Sequence, residues 1–115
     1  VPKTNKKPVL EKTIVNKILK FLKSLDHCFC WKEHGGMYGT AGIPDIICCY
    51  QGDFIAFEVK RPGGNATILQ RRTLERINKA GGCANVVSSV EEVKLILRYY
   101  NQGGSSDEKD TTAAD

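Results

Sequence analysis

IPDIICCYQGDFIAFEVK, residues 43–60, reads as two short apolar strands joined by a turn. Three charges interrupt it: Asp45 directly after a proline, and Glu58 and Lys60 inside the second run. Charged side chains are rarely buried unless paired or bound to a metal, so their positions need a reason. A tight hairpin with Gln51 and Gly52 at its tip supplies one, because glycine gives the positive φ that such a turn requires. Tyr50 then faces Asp53, and counting outward brings Asp45 opposite Glu58. Directly opposed residues share one sheet face with Cβ atoms roughly 5 Å apart. Lys60 follows two residues on, about 7 Å along the same face. The three charges converge. A slip of one residue would split the two acids between opposite faces.

Two carboxylates this close repel each other unless a cation lies between them. A hard divalent ion such as Mg²⁺, with Mn²⁺ able to substitute, suits an all-oxygen site. A neighbouring lysine can steady a phosphate, or take a proton if its pKa is lowered. The plain alternative is a surface salt bridge between Lys60 and one acid at a sheet end.

Outward from the hairpin, helical and extended patterns interleave. Leu10, Ile14, Ile18, Leu22 and Leu25 form a helical stripe. CFCWKE, residues 28–33, alternates as a strand, and HGGMYGTAG, residues 34–42, has four glycines and reads as a mobile loop. Strands are expected over about 45–50 and 54–60. RPGGN then breaks the chain, and Thr67 can cap a helix running to Ala80 that Gly81 ends. CANVVS, residues 83–88, is a last strand. Ser89 and Glu92 make a capping box opening a helix with Val90, Val93, Leu97 and Tyr100 inward. The expected fold class is α/β, in the order α-β-β-β-α-β-α, with a central mixed sheet flanked by helices on both faces. Residues 1–102 are expected to form the domain and 103–115 a disordered polar tail.

At 115 residues the chain fits one domain, or one domain plus a tail, and its 41% hydrophobic content is adequate for a core. No apolar run approaches the roughly 18 residues that cross a bilayer, and the N-terminus has no apolar stretch of signal-peptide type. A cytoplasmic location is expected, with no membrane partner. Five cysteines, at 28, 30, 48, 49 and 83, suggest no disulfide framework and fit a reducing compartment. Cys48 and Cys49, adjacent in a strand, point to opposite faces. Cys28, Cys30 and His34 lack the paired spacing of a zinc site, and small buried thiols account for the cysteines better. The net charge is +4; without residues 103–115 there are 16 basic against 9 acidic residues, near +7, which favours an anionic partner.

Pro44-Asp45, with Glu58-Val59-Lys60 thirteen positions after the aspartate, is similar to the PD-(D/E)XK nuclease signature. The longer pattern AGIPDIICCYQGDFIAFEVKRPGGNATILQRRTL, residues 41–74, resembles the VRR-NUC branch, the virus-type replication-repair nucleases, here of the stand-alone phage or bacterial type. That branch shows G-x-P-D, a strand, a glycine, E-V-K, then a loop and a helix bearing a glutamine. The resemblance runs roughly from Glu11 to Val87 and implies a restriction-endonuclease-like αβββαβ core. By it, Asp45 and Glu58 match the metal-binding acids, Lys60 the catalytic lysine, Glu11 the first-helix acid that completes the metal shell, and Gln70 the helix glutamine that supports the site. From its own pattern Glu11 lies beside the apolar stripe, in line with Val15 and Ile18; an exposed acid is the alternative. Gln70 shares a helix face with Thr73, Leu74 and Ile77, where it must hydrogen-bond; plain packing polarity is its alternative. The chain departs from the family at NATILQ, where a leucine-serine pair is common, although Ala66 and Thr67 keep the size trend and the cap.

The resemblance implies a Mg²⁺-dependent endodeoxyribonuclease leaving a 5′-phosphate and a 3′-hydroxyl. Stand-alone single-domain members resemble Holliday-junction resolvases, so the expected partners are branched DNA and a second copy of the chain, meeting through the first helix and the glycine-rich loop. The alternatives are a flap or general DNA endonuclease, and a non-catalytic nucleic-acid-binding module on the same fold. Lys3, Lys6, Lys7, Arg61, Arg71, Arg72 and Arg76 are candidates to contact phosphates, with ordinary solvated charge as the plain reading. Trp31, Tyr38 and Tyr50 could stack on bases, though core packing is the expectation for Trp31. His34, beside the glycines, could shuttle a proton, but no role is expected for it.

Overall fold

An amphipathic stripe opens the described part of the chain, residues 10–34 and 41–101 of a computed structural model. The helix α1 (Glu11–Lys23) buries Ile14, Val15, Ile18 and Leu22, the spacing of one helical face. Leu10, expected in that stripe, is 59% exposed. It is the N-cap, and its extended backbone turns the side chain off the helix face. Lys3, Lys6, Lys7, Tyr38, the glycines at 35, 36 and 39, and the polar tail lie outside the described residues.

Three strands follow, β1 (Cys28–Lys32), β2 (Ile46–Tyr50) and β3 (Asp53–Val59), then α2 (Ile68–Lys79), β4 (Cys83–Val87) and α3 (Val90–Asn101). This is the order expected from the sequence. The strands form one sheet in the order β1-β2-β3-β4. The first two pairings are antiparallel and the third is parallel, so the sheet is mixed. A parallel step needs a crossover, which α2 supplies.

The hairpin register is the expected one: Tyr50 pairs with Asp53 and Ile46 with Phe57. Gln51 and Gly52 have φ of 52° and 86°, the signs of a type I′ turn, whose twist matches that of the flanking strands. Glycine accepts this backbone freely; a glutamine does so at a cost.

The two sheet faces carry separate cores. On one, α1 and α3 cover Cys30, Ile46, Cys48, Tyr50, Ile55, Phe57, Val59 and Val87. On the other, Leu74 of α2 packs on Ile47, Ala56 and Ala84. Asn78 anchors α2 further: its side-chain amide donates to the Ala84 carbonyl at 3.0 Å and accepts from the Ala84 N–H at 2.8 Å. Since α2 lies over β4, the same face of β1, at the far edge of the sheet, stays open.

That opening corrects the expectation for Trp31. It is 42% exposed and its neighbour Phe29 70%, because the side of β1 that meets a helix is the one bearing Cys28 and Cys30. The Trp31 ring leans on Phe29 at 5.8 Å, and its Nε1 donates to Glu33 Oε1 at 3.1 Å. Tyr50 is corrected the other way. It is buried in the larger core, and its hydroxyl accepts from Asn101 Nδ2 at 2.9 Å, so it offers no face for a base.

The expected cap at Thr67 forms as a full box, and the one at Ser89 forms in half. Thr67 Oγ1 accepts from the Gln70 N–H at 3.1 Å, and Gln70 Oε1 accepts from the Thr67 N–H at 2.8 Å. Ser89 Oγ accepts from the Glu92 N–H at 3.1 Å, while Glu92 reaches one residue further back, to the Ser88 N–H at 2.6 Å. Among the described residues no helix is long and apolar enough to cross a membrane.

The turn generates a prediction. Asparagine tolerates positive φ better than glutamine, so Gln51→Asn should raise the unfolding free energy by about 0.5–1 kcal/mol in urea denaturation, while Gln51→Val should lower it. Equal stabilities for the two variants would argue against the positive φ at residue 51.

Candidate metal centre

Asp45 is held in place before any ion is considered. Gly42, three residues upstream, has φ +83°, and a Cβ there would come within 2.7 Å of Thr73 Oγ1 and 3.0 Å of Leu69 Cγ. Only glycine lets the chain pass this close to α2. Pro44 is buried, and its ring fixes φ just ahead of the acid. The Asp45 carbonyl accepts from the Glu33 N–H at 2.7 Å, and its Oδ2 accepts from the Val59 N–H at 2.8 Å. The carboxylate is thereby tied to the end of β3.

Glu58, next to last in β3, is 2% exposed. Extending the β2–β3 register one step beyond Ile46–Phe57 sets it opposite Asp45. Burial pushes its pKa up, the Asp45 charge and a hydrogen bond with Asp45 push it further, and Lys60 only partly opposes them; it lies at about 7. Lys60 Nζ stands 3.6 Å from Glu58 Oε2, and the Lys60 N–H donates to the Val87 carbonyl at 2.9 Å. The salt bridge that the sequence allowed is therefore present, but a satisfied salt bridge lowers a carboxyl pKa. Here it rises. One lysine does not offset burial plus a second acid, and the surplus negative charge fits a hard divalent cation with oxygen ligands, such as Mg²⁺.

Asp45, Glu58 and Lys60 are brought together as the register required. Glu11 lies in the first turn of α1, half-buried. Among the described residues its carboxylate does not join those of Asp45 and Glu58 in a group with ligand atoms within 4.8 Å of one another. The Gln70 side-chain oxygen is engaged in the cap of its own helix. Arg61, Arg71, Arg72 and Arg76 are exposed. Lys12, Lys17, Lys20 and Lys23 line the exposed side of α1, a basic face to which no motif in the sequence points. The G-x-P-D spacing flags Gly42, but the obstacle that requires a glycine there, Thr73, is distant in sequence.

No family model matches the sequence, and no curated protein matches it. Solved structures do resemble the fold. One, described as "VRR_NUC domain", superposes with a TM-score of 0.67 at 24% identity, covering 78% of this chain and 96% of that one. Another, "VRR_NUC domain protein", gives 0.64 at 22% identity, covering 85% and 93%. The chain has the VRR-NUC fold. At these identities the likeness concerns architecture, and it extends over nearly the whole of each VRR-NUC structure. Within the VRR-NUC fold of this chain, the paired acids stand at one end of the sheet, where β2 begins and β3 ends.

The raised pKa of Glu58 predicts a pH dependence. Its folded-state value, about 7, exceeds the ordinary 4.5. The stabilisation it provides is thus full below about 4.5 and is lost as the pH rises through about 7. In the presence of a chelator, Glu58→Gln should melt above the wild type at pH 8 and close to it at pH 4. Thermal unfolding at the two pH values checks this; an unchanged difference between them would argue against a raised pKa at Glu58.

Proposed function

We propose that the chain is a metal-dependent DNA endonuclease that hydrolyses phosphodiester bonds. The observation carrying this reading is the buried Glu58 facing Asp45, with a raised pKa and Lys60 Nζ 3.6 Å away. Asp45 and Glu58 would hold Mg²⁺, or Mn²⁺ in its place. Such an ion supplies Lewis-acid polarisation of the scissile phosphate and a water of lowered pKa. The chain's own residues do the rest. The Val59 N–H fixes Asp45 through Oδ2 and so aims the carboxylate. Glu58 must give up its proton on binding, so affinity for the ion grows with pH. Lys60, half-buried and held by Glu58, is positioned to orient the attacking water and to offset the charge developing on phosphorus. Glu11 and Gln70 are proposed to support the centre from the heads of α1 and α2, and Arg61, Arg71 and Arg72 to contact phosphates. The products would be a 5′-phosphate and a 3′-hydroxyl.

A plasmid-nicking assay with Mg²⁺ and with EDTA tests the activity. Asp45→Asn should abolish nicking and weaken Mn²⁺ binding in calorimetry while the fold persists; undiminished nicking would sink the assignment. Lys60→Ala should cut the rate by about 10²-fold and leave DNA affinity within a few fold. Equal losses in rate and affinity would make Lys60 a phosphate anchor only, and DNA binding without cleavage by the wild type would favour a non-catalytic module.

One site cuts one strand, so a two-fold homodimer presenting two sites of opposite polarity suits a symmetric four-way junction. We propose that substrate and that assembly. Across a two-fold axis the four lysines on the exposed side of α1 would set like charges against each other, so we propose a contact that leaves that side of the first helix free. Light scattering should give a dimer at micromolar concentration. Mapped cuts on a synthetic four-way junction, run beside flaps and duplex, should be paired and symmetric; flap preference would defeat the resolvase reading and leave the nuclease reading standing.

A further inference from the structure

Three thiols meet between the sheet and α1, and the centre described above does not use them. Cys30 and Cys48 are direct cross-strand partners of β1 and β2, and Cys28 lies on the same face one pair along. The backbone bonds at Glu33–Asp45 and Gln51–His27 set the alternation of the ladder. They leave Cys30 and Cys48 at a non-hydrogen-bonded pair, where side chains approach most closely. All three sulfur atoms lie within 4.8 Å of one another, and Cys28 Sγ is 3.6 Å from Cys48 Sγ. Cys48 is 1% and Cys30 7% exposed, while Cys28 is half-buried.

This triangle has the dimensions of a metal site. With metal–sulfur bonds of about 2.3 Å, sulfur atoms around one ion stand about 4 Å apart. A donor set of thiols alone selects soft or borderline ions over Mg²⁺ or Ca²⁺. Lys23, at the end of α1, favours the Cys30 thiolate and so counters part of the charge that three thiolates would gather. We propose that Cys28, Cys30 and Cys48 form a binding site for a thiophilic d¹⁰ metal ion of the Zn²⁺, Cd²⁺ or Cu⁺ class. Binding exchanges up to three S–H bonds for metal–sulfur bonds and releases the corresponding protons to solvent, with no change of oxidation state. Burial raises the Cys30 and Cys48 pKa values, so the thiols stay protonated until an ion displaces the protons. The partly open Cys28 gives the ion its path in. An occupied site would cross-link the edge strand β1 to β2, the strand that Asp45 leads into.

The test is a titration of the reduced, chelator-stripped full chain with Cd²⁺, in excess Mg²⁺ so that the carboxylates are saturated. The readouts are the ultraviolet sulfur-to-cadmium charge-transfer band and proton release in weak buffer. One Cd²⁺ per chain is expected, with the band of three thiolates and a higher Tm. Loss of an outer-shell partner alone costs about 10–100-fold in affinity, so Cys48→Ser and Cys28→Ser should each cost at least about 100-fold. Cys49→Ser, Cys83→Ser and Asp45→Asn should leave Cd²⁺ binding unchanged. Cys28, being half-buried, is the variant to rely on if Cys48→Ser does not fold. Absence of the band in the wild type would overturn the proposal, as would its survival in Cys28→Ser or its loss in Cys49→Ser. Loss of two free thiols without metal uptake would overturn it in favour of a disulfide.

Discussion

The register of the β2–β3 hairpin is the constraint on which the site depends. A sheet has a side-chain period of two, so the Gln51–Gly52 turn decides whether Asp45 and Glu58 oppose each other or lie on opposite faces. With Tyr50 paired to Asp53 they oppose each other. Burial and the resulting repulsion together raise the pKa of Glu58, and the turn that sets the register holds Gln51 at positive φ. Like-charge proximity of this kind belongs to functional sites more often than to structural cores.

Around that hairpin the chain fixes its acid from several directions. Gly42 allows the approach of α2, Pro44 stiffens the entry, and the Val59 N–H binds Asp45 across the strand pair. The helix α2 is in turn locked to the sheet by Leu74 and by the two hydrogen bonds of Asn78 to Ala84. A change at Gly42 would therefore reach Asp45 through packing, without touching a charged group. The two faces of the sheet also divide the donor chemistry. The carboxylates lie on the α2 side and the three thiols on the α1 side, so hard and soft ions would meet different surfaces of the same four strands.

Much of this was legible in the sequence. Hydrophobic period marked α1 at Ile14, Ile18 and Leu22, capping chemistry marked α2 at Thr67 and α3 at Ser89, and the Gln51–Gly52 turn fixed the pairing of Asp45 with Glu58. These are local signals, each set by a few consecutive residues. Leu10 departs from its stripe for a local reason, its place at the N-cap; the departures of Trp31 and Tyr50 are long-range. Trp31 has the composition of a core residue, but whether a strand face is covered depends on which strand a helix lies over, and α2 lies over β4. Tyr50 looked available for stacking until the neighbouring helices closed over it.

What the sequence determined by itself is the element order, the caps and the convergence of Asp45, Glu58 and Lys60, because turn geometry and side-chain period act within short stretches. Only the tertiary structure decided that Glu11 stands outside the close acid pair, that Gly42 is indispensable beside Thr73, and that Cys48 joins Cys28 and Cys30. Each of those depends on residues distant along the chain. Their proximity is settled by sheet order and helix packing, which no local pattern encodes.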